Sequence, residues 1–271
     1  MPELPEVETT LRGVQPYLSD ALITDLIVRN SSLRWPVPVQ KLQTLVGQVI
    51  EKVERRAKYL LIHTQVGTLL LHLGMSGSLR ILDQGIEPEK HDHIDLLLGS
   101  KKVLRFNDPR RFGCCLFVEP YKEHDLLASL GPEPLSDSFT GEYLFKLSRK
   151  RKIPIKNFIM DGKVVVGVGN IYASESLFEA GIRPTVLAGK VSKARYLKLA
   201  IVIKSVLSKA IDAGGTTLND FSQVDGKPGY FKQELRVYGR DGQQCDFCLN
   251  KIKSKTIGQR NTFYCPQCQT F

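Results

Sequence analysis

Between Ala21 and Val118 the chain alternates short apolar runs with polar breaks. The runs are Leu22 to Val28, Val49 to Val53, Tyr59 to His63, Thr68 to Leu73, Leu79 to Leu82, Ile94 to Leu98, Val103 to Phe106 and Cys114 to Val118. Short apolar segments recurring at this close spacing predict an antiparallel β-sandwich or barrel. A helix is expected ahead of them, with Pro5 near its first turn, Glu6 and Glu8 matching the helix dipole, and Gly13 and Pro16 near its end. The stretch 130–138 carries turn and breaker residues and reads as a linker. Beyond it the period becomes helical. Ile171 to Ala180 is closed by Gly181 and Pro184, and Lys193 to Asp212 sets Leu199, Val202, Val206 and Ala210 on one face before Gly214 and Gly215. Two helices thus predict a second domain. Residues 216–232 are polar and glycine-bearing, a loop of the length usually reserved for function.

Composition narrows the function classes. The 271 residues are 42% hydrophobic, enough for one large or two smaller cores. No apolar run approaches the roughly 18 residues of a membrane span, and the acidic, proline-bearing start does not read as a secretory signal, so a cytoplasmic location is expected. Lys and Arg number 38 against 28 Asp and Glu, a formal net charge of +10. That excess favours a polyanionic partner, nucleic acid ahead of an anionic membrane surface. Lys146, Arg149, Lys150, Arg151, Lys152 and Lys156 come with no acid among them, and read equally as a solvated basic face or a phosphate track.

Cysteine spacing is the most specific chemical signal. Cys245-x2-Cys248 and Cys265-x2-Cys268 stand 16 residues apart, within the four-thiolate zinc pattern. Disulfides compete with that reading, but nothing points to an oxidising compartment. A hairpin held this way has little core, so the metal supplies its folding energy. From Arg236 to Phe271 six basic residues face two acids, a net of +4, favouring a DNA clamp over a protein-binding knob. Cys114 and Cys115 read as buried packing residues.

Other constellations are weaker. Gly167-Val-Gly169-Asn170 precedes a helix and either offers backbone amides to a phosphate or marks a tight turn. His91 and His93 alternate on an extended segment without a third metal ligand, which favours a polar turn or a phosphate contact. Met75 lies near two glycines, and Arg110 and Phe112 lie in another turn, where each either projects outward or packs. Removal of Met1 would leave Pro2 with a secondary amine, a candidate nucleophile able to form an iminium; Met-Pro is also simply a common start.

Six segments, in the same order, give the chain a family likeness: Pro2-Glu-Leu-Pro-Glu-Val-Glu8, Arg55-Arg-Ala-Lys-Tyr59, His72-Leu-Gly-Met-Ser-Gly77, Asp108-Pro-Arg-Arg-Phe-Gly113, Gly167-Val-Gly-Asn-Ile-Tyr172 and the cysteine module. Together they closely resemble bacterial formamidopyrimidine-DNA glycosylase. The resemblance implies an α+β fold with an N-terminal β-sandwich opened by a helix (1–130), a helix-two-turn-helix domain (131–235, with a base-recognition loop near 216–232) and a C-terminal zinc finger (236–271), with damaged double-stranded DNA in the cleft between. It implies Pro2 as nucleophile on deoxyribose C1′ and Glu3 as general acid or base, with helix capping as Glu3's ordinary alternative. Lys58 and Arg260 are implied as proton donors in β,δ-elimination, both equally able to clamp phosphate. Met75, Arg110 and Phe112 are implied to fill the hole left by an extruded nucleotide, and His91, Arg151 and Asn170 to hold the DNA backbone.

On this likeness, one structural zinc sits on Cys245, Cys248, Cys265 and Cys268. The substrates are oxidised purines, 8-oxoguanine and formamidopyrimidines, and the protein acts as a monomer at the nucleoid. Asn219 stands where some relatives carry a basic side chain. An endonuclease VIII-like enzyme preferring oxidised pyrimidines is opposed by the Pro-Glu-Leu-Pro-Glu start and the Arg110 and Phe112 pair. A zinc-containing DNA binder without catalysis is the rival outside the class.

Overall fold

The computed structural model describes residues 2–216 and 235–270. The expected loop at 216–232, apart from Thr216, and Asn219 within it lie outside the described residues. Helix α1 (Leu4–Leu18) is followed by eight strands: β1 (Ile23–Val28), β2 (Lys52–Arg56), β3 (Tyr59–Thr64), β4 (Gly67–His72), β5 (Ser78–Asp83), β6 (Asp92–Leu98), β7 (Lys102–Asn107) and β8 (Cys114–Val118). They form two antiparallel four-stranded sheets, β1-β6-β7-β5 and β2-β3-β4-β8. The apolar runs supply one shared core of Leu, Ile and Val side chains with Phe106 and Cys115. This is the predicted sandwich. The apolar pattern does not mark the short helices α2 (Val39–Gln43) and α3 (Asp125–Ala128).

One boundary differs from expectation, and another follows it. The run at Val49 does not open β2; Val49 makes only an isolated bridge to Leu22, and the strand proper carries on through Arg55 and Arg56. Helix α1 passes through Gly13 and Pro16 before ending at Leu18. Pro16 stands in the last turn, where a missing N–H removes one bond near the helix end.

The second compact unit runs from Leu130 to Asp212 and includes the residues from Leu235 onward. Its helices are α4 (Gly141–Ser148), α5 (Ile155–Met160), α6 (Asn170–Ala180) and α7 (Lys193–Asp212), and its hairpin is β9 (Lys253–Ile257) with β10 (Arg260–Tyr264). The pattern predicts α6 and α7 but neither α4 nor α5. Gly181 closes α6 in the left-handed conformation at φ 74°, which glycine adopts without strain. Beside it, the hairpin has a small core of Phe178, Val237, Ile252, Phe263, Cys245 and Cys265.

Candidate nucleic-acid interface and metal centre

Within the sandwich unit the first turn of α1 is built around carboxylates. Pro2 is buried ahead of it, and Glu3, 2% exposed, is its N-cap. Glu6 closes a capping box by accepting the Glu3 backbone N–H at 2.8 Å, and its other oxygen accepts the Thr216 N–H at 2.8 Å. A buried carboxylate thus ties the head of the chain to the last residue described before 217. One turn on, Glu8 meets Arg55 at 2.8 Å, and Arg55 donates to the Ala57 carbonyl at 2.9 Å. That link holds α1 to the β2–β3 turn carrying Lys58. Across the sheet from Tyr59, His72 accepts the Gly74 N–H on Nδ1 at 2.9 Å. Burial, helped by the charges of Lys58 and Arg34, pushes the His72 pKa down to about 4, so the ring is neutral near pH 7.

Met75, Arg110, Phe112 and His91 are brought together by a residue the sequence did not single out. Asp108 is 0% exposed. Its Oδ1 accepts from Ser76 Oγ at 3.0 Å and from the Arg110 N–H, and its Oδ2 from the Gly113 N–H at 2.7 Å. Its own N–H donates to the His91 carbonyl at 3.1 Å, and its carbonyl meets His93 Nε2 at 2.8 Å. At Gly74, φ 63°, a Cβ would stand 2.4 Å from the Phe112 carbonyl carbon. Only a glycine lets the Met75 turn and the Arg110 turn touch backbone to backbone. The Arg110 guanidinium lies 5.1 Å over the Phe112 ring, which is exposed. An Asp beside a proline signals a turn; nothing in its spacing shows that it organises three segments.

In the second unit the expected basic run divides. Lys150, Arg151 and Lys152 are exposed between α4 and α5. Arg149 instead lies 3.8 Å over the Phe145 ring and donates to the Gly189 and Val191 carbonyls. Lys156 belongs to neither a solvated face nor an open phosphate track: it is 0% exposed, and its ammonium donates to Asn170 Oδ1 and to Thr262 Oγ1 at 2.6 Å. Asn170, first residue of α6, donates to the Asn261 carbonyl at 3.0 Å. Lys156 therefore fastens the start of α6 to the strand that begins at Arg260, whose side chain is exposed. Glu175 plays a matching part further along α6, its carboxylate accepting the N–H groups of Arg236, Val237 and Tyr238 at 2.8 to 3.0 Å.

The four cysteines converge as their spacing requires. Their sulfurs all lie within 4.8 Å of one another, with Cys245 to Cys268 at 3.8 Å and Cys248 to Cys265 at 3.4 Å. Tetrahedral zinc with bonds near 2.3 Å sets sulfurs about 3.8 Å apart, so the donor set fits one structural Zn²⁺. They are the one such group among the described residues; His91 and His93 gain no third partner. Cys114 and Cys115 are wholly buried in β8, and desolvation pushes the Cys114 thiol up to about 12 and Cys115 up as well. No described helix is long and apolar enough to cross a membrane.

Comparison with known proteins agrees with this layout. Residues 1–115 match the formamidopyrimidine-DNA glycosylase N-terminal domain, 130–222 its helix-two-turn-helix domain, and 242–270 a zinc finger found in these glycosylases and isoleucyl-tRNA synthetase. The formamidopyrimidine-DNA glycosylase of Alteromonas mediterranea is 58% identical over 269 residues, 99% of this chain and 100% of the relative. The crystal structure of the MutM (Fpg) protein of Thermus thermophilus superposes with a TM-score of 0.88 at 36% identity, covering 99% of this chain and 98% of that one. A Lactococcus lactis Fpg mutant in complex with Fapy-dG-containing DNA gives 0.92 at 29% identity, with both chains fully covered. With a matching sandwich, helical region and four-cysteine module in one continuous alignment, the chain belongs to the formamidopyrimidine-DNA glycosylase family.

Proposed function

We propose that this protein is a bifunctional DNA glycosylase and AP lyase of base excision repair, excising oxidised purines such as 8-oxoguanine and formamidopyrimidines from duplex DNA. One observation carries the reading: the family match spans the chain and includes its head, where Pro2 and Glu3 stand at the start of α1. After removal of Met1, the Pro2 nitrogen attacks deoxyribose C1′, the base departs with a proton, and the sugar remains bound as an iminium. That cation acidifies the C2′ hydrogens. Loss of one expels the 3′ phosphate, and a second elimination expels the 5′ phosphate, leaving a one-nucleotide gap. Glu3 serves the sugar ring oxygen as general acid or base, in addition to its capping position. Lys58 and Arg260 assist the two eliminations as proton donors or as clamps on the departing phosphates.

Extruding a damaged nucleotide costs a few kcal/mol, least for a badly paired base. Met75, Arg110 and Phe112 fill the vacated space, supported by their shared anchorage on Asp108. His91, Arg151 and Asn170 hold backbone phosphates, and the parts act as an N-terminal catalytic domain (1–130), a helix-two-turn-helix domain (131–235) and a zinc finger (236–271). The protein works on chromosomal DNA in the cytoplasm.

Borohydride added during reaction with an 8-oxoguanine duplex tests the proposal. A covalent adduct is expected, and mass spectrometry should find the sugar remnant on the peptide beginning at Pro2. An adduct on an internal lysine, or normal cleavage by a form retaining Met1, would overturn it.

A further inference from the structure

A hollow of about 600 Å³ opens between the C-terminal half of α6, α7 and the zinc knuckles, and the activity proposed above makes no use of it. That size falls within the range of ligand-binding clefts. Its apolar wall comes from Phe178, Val206 and the ring of Phe247. Phe247 is 71% exposed, with its ring 5.7 Å from that of Phe178, so it contributes little to folding and much to the mouth of the hollow. Leu249, in the same knuckle, is 69% exposed and sits at φ 62°. That conformation lets the Leu249 N–H close the turn on the Cys245 carbonyl at 3.0 Å. An exposed aromatic ring at the mouth of the hollow, on a metal-braced turn, marks a surface kept for contact rather than for stability.

The rim states the charge of what fits. Lys198 and Lys209 are eleven residues apart on α7 and therefore share a face, and Arg236 stands beside Phe247. Among the described residues neither lysine forms an ion pair. Arg236 is paired with Asp246 at 3.3 Å and Glu175 is occupied by three backbone donors, which leaves Glu179 as the acid facing the two lysines. A polynucleotide track needs an unbroken run of cations, and the tilt of Phe247 against Phe178, 51°, offers no flat stacking platform. An apolar hollow with Lys198 and Lys209 on its rim suits an aromatic or large aliphatic side chain flanked by carboxylates. The site also lies about 12 Å along α6 from Asn170, eight residues away at 1.5 Å each. It can therefore be filled while Asn170 is engaged.

We propose that this hollow is a docking site for an acidic peptide segment of a partner protein, anchored by an aromatic residue beside Phe247 and held by Lys198 and Lys209. The test uses the full zinc-loaded chain and a fluorescein-labelled peptide of three aspartates ending in phenylalanine with a free carboxylate, followed by anisotropy. Saturable binding is expected, with Phe247→Ala and the double variant Lys198→Glu/Lys209→Glu each weakening it at least about tenfold, the loss typical of removing an interface anchor. Both variants should retain zinc and wild-type cleavage of an 8-oxoguanine duplex, since none of these residues belongs to the proposed DNA machinery. Binding to the two variants equal to wild type would overturn the proposal. So would displacement of the peptide by an undamaged duplex or by oligo-dT, which would put the peptide on the nucleic-acid surface instead.

Discussion

The sandwich and the zinc hairpin solve the same burial problem by different means. In the sandwich, two sheets and α1 enclose a large set of aliphatic side chains, and no metal is needed to hold them. The hairpin shelters only a few apolar residues, two of them cysteines, and borrows Phe178 from α6. Its register is fixed from outside that core: by four thiolates on one ion, by Glu175 on three backbone amides, and by Lys156 on Thr262. A region with ample core tolerates local loss, whereas one held by a few polar and metal contacts fails as a unit.

The most forceful way to break this contrast is to remove the zinc. Structural zinc contributes about 10 kcal/mol or more to modules of this kind, so chelation should abolish hydrogen-exchange protection in 235–270. Protection in β1 to β8 should persist; its parallel loss would show that the two regions are not independently held.

A second lever acts on the sandwich alone. The folded pKa of His72, about 4, lies below the unfolded value near 6.5, so acid favours the unfolded chain. The associated stability is complete above pH 6.5 and is lost as pH falls toward 4, on the order of 3 kcal/mol in all. Urea melts monitored on the sandwich should show that slope, and His72→Asn should flatten it. The smallest effect is the sharpest locally. Asp108→Asn keeps one acceptor but faces the Gly113 N–H with an amide donor, leaving a buried donor unmet at about 1–2 kcal/mol. Stability should fall by that amount while cleavage of damaged duplex falls further, because the Met75 and Arg110 turns lose their common anchor. Equal, small losses in both would assign Asp108 to stability alone.

What the sequence disclosed follows the same division. Closely spaced apolar runs and a period of 3.6 report residues turned toward a large core, so the eight strands, α6 and α7 could be read from them. Helices α4 and α5 are eight and six residues long and flank the basic run, too short for a helical period to stand out. Cysteine spacing disclosed the metal because four ligands at fixed intervals have few other uses. Asp108, Glu6 and Lys156 were not legible, since each is defined by partners distant in the chain or by backbone amides, which no residue pattern records. Lys156 shows this most plainly: amid five other cations it reads as surface, yet the fold encloses it.

The adjacent sulfhydryls of β8 have a consequence for a protein whose proposed substrates are themselves products of oxidation. Consecutive strand positions project from opposite faces, so Cys114 and Cys115 are poorly placed to bridge one another. Sealed from water and held in the protonated form, they present no thiolate that could attack peroxide. The half of the molecule bearing Pro2 thus carries its cysteine sulfur in a chemically silent state.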